Sequence, residues 1–458
     1  MSESPLKSRL TLGQKTTFGL PSFAMNLSGA LFGGWLTYFY LPPEEAGVGK
    51  VALVAASAFA VAQLVGRIVD AIADPLVGYW SDRSRNRMGR RLPFLLFGGP
   101  ILAISFLALW FPPFAPGSLA NSTYLVASLC FYWFAFTLVV APYFALIPEI
   151  AETSQERVHL SRSMAIFTVL GLAVGLGAVG TLQSNFKDGI TLFSFHIPSG
   201  IQIMAVFASF SLLVLFWAPL INIRERAYSE EKAVPKGLFK GLAVAFKNPA
   251  FRTYLAMAAL IQMGLTMVIA SIPYLTTQVL AAAPGQEGLI PYEDGESWAG
   301  ALQATVVVLA ALCIPLVNVL TDRLGKRRLF VLAGIVMTVV LLLTPATGLF
   351  PDPAIPAIVL FVALAFPVST ALVLPNAIYG DVVDFEAERT GIRREGTYTG
   401  ATALLTKAGI GLAQASVVGL LALGNTRGSP IGIYLCFPAG AIFVAIGTWI
   451  FSKHPIDT

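Results

Sequence analysis

The sequence predicts an all-α polytopic membrane protein, with twelve transmembrane helices in two pseudo-symmetric six-helix halves. Three observations predict it. Apolar runs of about 20 residues or more recur along the chain, and a helix of that length crosses roughly 30 Å of hydrocarbon. An Asp-Arg motif followed by glycine and basic residues occurs once in each half. Basic residues also crowd into alternate loops. Composition agrees, because with 56% hydrophobic and only 12% charged residues the chain has too little charge to cover a soluble surface.

The spans fall near residues 18–41, 50–80, 93–112, 122–148, 160–183, 199–222, 251–280, 298–321, 328–347, 354–379, 397–424 and 430–451. The first, Phe18 to Leu41, is too long for the apolar part of a signal peptide, and no small-residue cleavage site follows it, so it reads as a retained helix. The second holds the run GRIVDAIADPLVG, with Arg67, Asp70 and Asp74. The fourth ends in FTLVVAPYF and the eleventh carries ATALLTKAGIGLAQA, with Lys407. Proline and glycine inside several spans are tolerable where neighbouring helices satisfy the freed backbone groups. Cys130, Cys313 and Cys436 lie far apart inside spans, without metal-ligand spacing, and read as buried small hydrophobes.

The longest polar stretch starts at Ile221 and divides the chain into an N-terminal half (1–222), a linker (223–250) and a C-terminal half (251–458). Within it GLFKGLAVAFKN reads either as an amphipathic helix on the membrane surface or as plain linker. With the N-terminus in the cytoplasm, all but five of the 30 basic residues fall in the termini, in cytoplasmic loops or at their membrane edges. Lys50, Lys187 and Arg427 lie outside, and Arg67 and Lys407 lie within spans. Both termini are therefore expected inside, in a plasma (cytoplasmic) membrane. The net charge of +5 reflects this topology, and no basic soluble domain exists for nucleic acid.

The repeat is GYWSDRSRNRMGRR after span 2 and NVLTDRLGKRR after span 8. Both follow the second helix of a six-helix half. Duplicated halves fit a transporter whose site lies between them at mid-membrane. Asp70 and Asp74, four residues apart, share one helix face, and Arg67 can share it. Asp74 lies roughly 10 Å and Asp70 roughly 16 Å from the cytoplasmic end of the span, at 1.5 Å per residue. A lone charge at such depth costs about 2.5–3.5 kcal/mol. An Arg67–Asp70 pair that merely locks helices would leave Asp74 alone. Two adjacent carboxylates repel, which suits a shared proton or a hard monovalent cation. Lys407 can neutralise them, hold an anionic substrate group, or snorkel to the interface.

These stretches, with YGDVVDFEAERTGIRREGTYTG between spans 10 and 11, resemble the major facilitator superfamily. Within it the chain is similar to the glycoside–pentoside–hexuronide:cation symporters along its whole length. The resemblance implies the major facilitator fold, and a coupling-ion site at Asp70, Asp74 and the Thr137 hydroxyl. Where the family has an amide before the second aspartate, this chain has Ala73, which removes a sodium ligand but not a proton acceptor. The coupling ion is thus H⁺ or Na⁺, and no other cofactor is implied.

On the substrate side the resemblance departs. Two family aspartates that hold sugar hydroxyls fall at Asn26 and Val140, a tryptophan at Phe144, and an arginine at Ala165, with Arg162 one turn earlier. Candidate substrate contacts are Asn26, Phe144, Arg162, Thr402, Thr406 and Lys407, with Trp133 and Phe136 as further aromatic platforms, although each aromatic taken alone reads first as lipid-facing or packing. The predicted gating network is Arg67, Asp82, Arg83, Arg90, Arg157, Asp322, Arg323, Asp381, Asp384 and Arg393. Its cytoplasmic members are read as bridges between halves or as solvated loop charges; family gating positions fall on Asp381, Asp384, Arg157 and Arg393.

The expected function is a cation-coupled symporter of a sugar or glycoside-like solute, acting as a monomer. A lysophospholipid-moving branch of the family shares the GR-x-x-DAI-x-DPLVG stretch, so an amphipathic lipid is the alternative substrate. A non-transporting receptor or a channel is the alternative from another class. No nucleophile–base or metal motif points to an enzyme; His159, His196 and His454 all lie near loops.

Overall fold

The computed structural model describes residues 10–43, 51–86, 88–151, 153–192, 194–223, 246, 248–390 and 395–455. Twelve long helices form the molecule: α1 (Leu12–Tyr40), α2 (Ala56–Arg83), α3 (Leu92–Trp110), α4 (Leu119–Ala145), α5 (Ser154–Asn185), α6 (Gly200–Trp217), α7 (Pro249–Leu275), α8 (Gly295–Leu324), α9 (Lys326–Leu343), α10 (Ala354–Thr390), α11 (Glu395–Leu421) and α12 (Ile431–Ser452). Eleven of them, α2 to α12, are apolar enough to cross a membrane. The 29-residue α1 is long enough, but Asn26, its glycines and serines, and Trp35, Tyr38 and Tyr40 dilute its hydropathy along its length.

Local chemistry marks the starts. Thr11 and Gln14 form a capping box on α1, Thr153 and Glu156 another on α5, and Asn248 caps α7 ahead of Pro249. The expected boundaries shift at one functional place. The acidic segment after span 10 is not a loop, because α10 continues to Thr390 and carries Asp381 and Asp384 on its last turns. A two-stranded hairpin, β1 (Ile190–Leu192) and β2 (Phe195–Ile197), adds a short sheet between α5 and α6, in register Thr191 with His196. The possible surface helix in the linker lies outside the described residues.

The packing repeats. In the first half α1 packs on α5 and α6, α2 on α4, α3 on α4 and α6, and α5 on α6. In the second, α7 packs on α11 and α12, α8 on α10, α9 on α10 and α12, and α11 on α12. Each contact has its counterpart six helices later. Between halves α2 meets α11, α5 meets α8 and α1 meets α7.

The repeated motif forms a repeated joint. Gly89 and Gly325 both turn the chain with positive φ, +108° and +80°, which glycine adopts without a Cβ clash. The basic residues that follow reach an acid at the end of the fourth helix of their half. Arg90 and Arg91 pair with Glu149, and Lys326 Nζ lies 2.6 Å from Asp381 Oδ2. We call this the basic end of the bundle, and the other the far end.

At the far end the halves touch. Tyr38 on α1 donates to Glu296 on α8 at 3.0 Å, and Tyr274 on α7 donates to the Leu41 carbonyl at 2.6 Å. Ser184 and Ser297 hydrogen-bond there too.

Candidate functional site

α2 is amphipathic in the sense a membrane demands. Val61, Ile68, Ile72 and Leu76 form an exposed apolar stripe, while Gln63, Arg67 and Asp70 face the interior. Pro75 lies inside this helix without ending it. The sequence period therefore turns a charged run inward, against α4 and α11.

The structure brings the predicted cation residues together. Asp70 is fully buried, and Thr137 Oγ1 donates to its Oδ1 at 2.9 Å. Lys407 on α11 bridges both acids, with Nζ 2.8 Å from Asp70 Oδ1 and 2.8 Å from Asp74 Oδ2. On the other side Arg67 NH1 stands 3.5 Å from Asp70 Oδ2. Two cations thus balance two carboxylates, which is the way buried charge becomes tolerable. Lys407 neither snorkels nor stands alone; it is the inter-half link at mid-bundle.

Exposure is graded along the site. The side chain of Asp74 is 37% exposed and that of Lys407 21%, whereas Asp70 is closed off. Asp74 lies on the basic-end side of Asp70 along α2, so the site opens toward the basic end. On the other side α11 comes close to α2: a Cβ on Gly411 would stand 2.8 Å from Arg67 Cγ.

The candidate substrate residues are less uniform. Asn26 Nδ2 donates to the Ser22 carbonyl at 2.7 Å and to Thr168 Oγ1 at 3.1 Å, so its amide is committed to helix packing. Thr402 and Thr406 donate to the carbonyls of Tyr398 and Thr402, at 2.9 and 2.7 Å, which leaves their oxygen lone pairs as acceptors. Phe144 and Arg162 are exposed. Trp133, one of the candidate aromatic platforms, is buried beneath Arg67, whose Cζ sits 3.8 Å from its ring centroid. Phe136 packs edge-on against Trp133.

The gating residues divide by half. Arg91 also faces Asp82 at 3.4 Å, Arg83 stacks on Tyr79, and Arg157 Nε donates to the Ala151 carbonyl at 3.1 Å. Asp322 and Arg323 are exposed, as is Asp384. The basic-end pairs seen here join helices inside one half; bridges between halves are expected of an outward-open state, in which the basic end is closed. Arg393 lies outside the described residues. Cys436 is buried as expected, but Cys130 and Cys313 are only partly so.

Sequence reasoning missed Gln63, one turn before Arg67 on the same face, and the far-end contact of Tyr38 with Glu296. The first was legible from periodicity. The second joins residues far apart in the chain and leaves no local signal.

Comparison with known proteins follows from this geometry. A family model described as "MFS/sugar transport protein" matches residues 17–431. The chain is 26% identical to the putative glycoside/cation symporter YagG of Escherichia coli (strain K12), over 92% of this chain and 85% of that protein. It is 25% identical to the sodium-dependent lysophosphatidylcholine symporter 1 of Mus musculus, over 83% of this chain and 72% of that one. A crystal structure of a variant of the nucleoside transporter NupG shares the fold with a TM-score of 0.67, at 15% identity, covering 96% of this chain and 100% of the other.

Proposed function

Because the chain belongs to the MFS/sugar transport protein family, as a multi-pass membrane protein of its glycoside–pentoside–hexuronide:cation symporter group, we propose that it moves a sugar or glycoside-like solute together with a monovalent cation bound at Asp70 and Asp74. One observation carries this reading: Lys407 Nζ sits 2.8 Å from each carboxylate. A tethered cation occupies the place a free one would take. The lysine and the coupling ion therefore compete for the same oxygens.

The competition supplies a mechanism. When H⁺ or Na⁺ arrives at Asp70 and Asp74, with the Thr137 hydroxyl as a third group, Lys407 is released from both. It is then free to meet substrate, with the Thr402 and Thr406 hydroxyls, one turn apart from each other, on the basic-end side of it along α11. When the cation leaves, Lys407 returns and restores the link between α2 and α11. The empty carrier thus moves without an unpaired buried charge, and the ion gradient acts only through its different affinity for the two states. With the basic end in the cytoplasm, the present arrangement is open inward. Rocking about the α2–α11 and α5–α8 seams opens the far end.

Five protein oxygens, four from the aspartates and one from Thr137, are few for Na⁺ once Ala73 stands where an amide would add another. A proton needs one. H⁺ is therefore the ion we favour. The lipid alternative rests on the similarity to the lysophosphatidylcholine symporter, and Lys407 suits a phosphate as well as a hydroxyl.

The test is thermal-shift screening of the purified protein against sugars, glycosides and lysophospholipids, at pH 6 and 8, with and without Na⁺. Stabilisation by a glycoside that strengthens at low pH supports the proposal. Stabilisation by lysophospholipids alone overturns the sugar assignment.

A further inference from the structure

The buried polar face of α2 does not end at Arg67. One turn further toward the far end, Gln63 is fully buried, and among the described residues no protein group pairs with either its Nε2 or its Oε1. Arg67 Nε and Trp133 Nε1 are likewise buried without a protein partner. On α11, Gln414 is buried and its Oε1 has no protein partner. These groups lie on one line.

The helix register places them together. α2 and α11 run antiparallel: Lys407 faces Asp70 and Asp74, and Gly411 faces Arg67 and the Gln63 carbonyl, 3.6 Å from the position of its would-be Cβ. Three residues beyond Gly411, Gln414 therefore comes level with Gln63. The Trp133 indole nitrogen completes the set from α4, 3.5 Å from where a Cβ on Gly66 would stand.

Buried polar groups in a membrane core find partners, in protein or in ordered water. A glutamine amide has two donors and an acceptor; those of Gln63 are all open here, and so is the acceptor of Gln414. The two amides carry no charge, so they do not compete with Lys407 for the aspartates. Their carbonyl oxygens are suited to a hydrated monovalent cation or to water that relays a proton. Arg67 bars a bare cation from resting between them and Asp70, which makes this a passage rather than a second storage site.

We infer that Gln63 and Gln414 line a hydrated extension of the cation site, through which the coupling ion reaches Asp70 from the far end when the seam opens there. The inference rests on Asp70 being the ion's destination. It assigns to these two glutamines the hydration of the seam and the access rate, not the ion affinity itself.

The experiment uses the full-length protein in lipid nanodiscs and the near-isosteric apolar variants Gln63→Met and Gln414→Met. Radiolytic hydroxyl labelling reads water next to Trp133, with the buried ring of Phe106 as the internal reference. Wild-type labelling of Trp133 should exceed that of Phe106, and each methionine variant should lower it severalfold. In proteoliposomes the same variants should slow cation-driven uptake about tenfold while leaving the ion's half-saturating concentration within twofold. Unchanged Trp133 labelling in both variants, or a rise in melting temperature with uptake intact, overturns the inference, since either marks a dry seam. The labelling result stands whichever residues bind the ion, so its failure is distinct from failure of the Asp70–Asp74 assignment.

Discussion

The guanidinium of Arg67 lies over the indole of Trp133, 3.8 Å from the ring centroid. The contact shows how a buried arginine is held beside an aspartate without closing fully on it. The indole face supports the charge from one side, and one NH1 points to Asp70 at 3.5 Å. The arginine is held as the more distant counter-charge, while Lys407, at 2.8 Å, is the closer one and, in the proposed mechanism, the one that exchanges.

Replacing Trp133 with leucine should therefore free Arg67 to close on Asp70. A desolvated cation–π contact contributes about 0.5–2 kcal/mol. Apparent cation affinity in Trp133→Leu should fall between roughly 2-fold and 30-fold, by the same magnitude. Titrating the ion dependence of uptake in proteoliposomes checks this, with Trp133→Phe expected to retain most of the affinity.

Gly411 is the point where α11 comes closest to Arg67. A methyl there would stand 2.8 Å from Cγ and 3.2 Å from Cβ of the arginine. Overpacking of this kind costs about 1–3 kcal/mol. Gly411→Ala should lower the melting temperature and loosen Lys407 from the aspartates, while Gly419→Ala, which meets nothing within 4 Å, should do neither. Melting curves of the two purified variants make the comparison.

At the far end, Gly180 of α5 lies against the backbone of α8. A Cβ there would overlap the Glu296 carbonyl oxygen at 1.9 Å, and backbone has little room to yield. Gly180→Ala should push the halves apart at that end. A cysteine placed at Ser297 should then react severalfold faster with an impermeant thiol reagent applied from the far end than in the Gly180 parent.

His454 follows α12 at the basic end. It is buried, with Nδ1 2.6 Å from Thr253 Oγ1. Burial, and then the charge of Arg327, push its pKa down to about 4, against the opposing pull of Asp381. The unfolded chain, with an ordinary histidine near 6.5, binds more protons than the folded one between these values. Stability should therefore fall as pH drops from about 6.5 toward 4. His454→Asn, which can keep a hydrogen bond to Thr253, should flatten that part of the melting-temperature profile.

Much of this was legible in the residues. Apolar run lengths announced the spans, and the spacing of Asp70 and Asp74 put them on one face. The recurrence of Asp82–Arg83 and Asp322–Arg323 announced the two halves. The pairing partners of the charges were not legible. Whether Arg90 meets Glu149 or an acid of the other half depends on loop geometry, as does the fate of Lys326. Trp133 reads first as a packing residue, as a lone aromatic in a span does, but nothing near it in the sequence names Arg67 as the group it packs against. Gln63 passed unnoticed because an uncharged amide in a charged run draws no attention, although its spacing from Arg67 marked the face. The far-end contact between Tyr38 and Glu296 depends on how the halves dock, which no local pattern encodes.

The central claim is that Asp70 and Asp74 bind the coupling ion in competition with Lys407. The most direct measurement is gradient-driven substrate accumulation in proteoliposomes containing Asp70→Asn or Asp74→Asn, each checked for an intact fold by its melting curve. The predicted result is loss of accumulation in each variant, with substrate still equilibrating down its own gradient. Accumulation retained in both variants would contradict the claim.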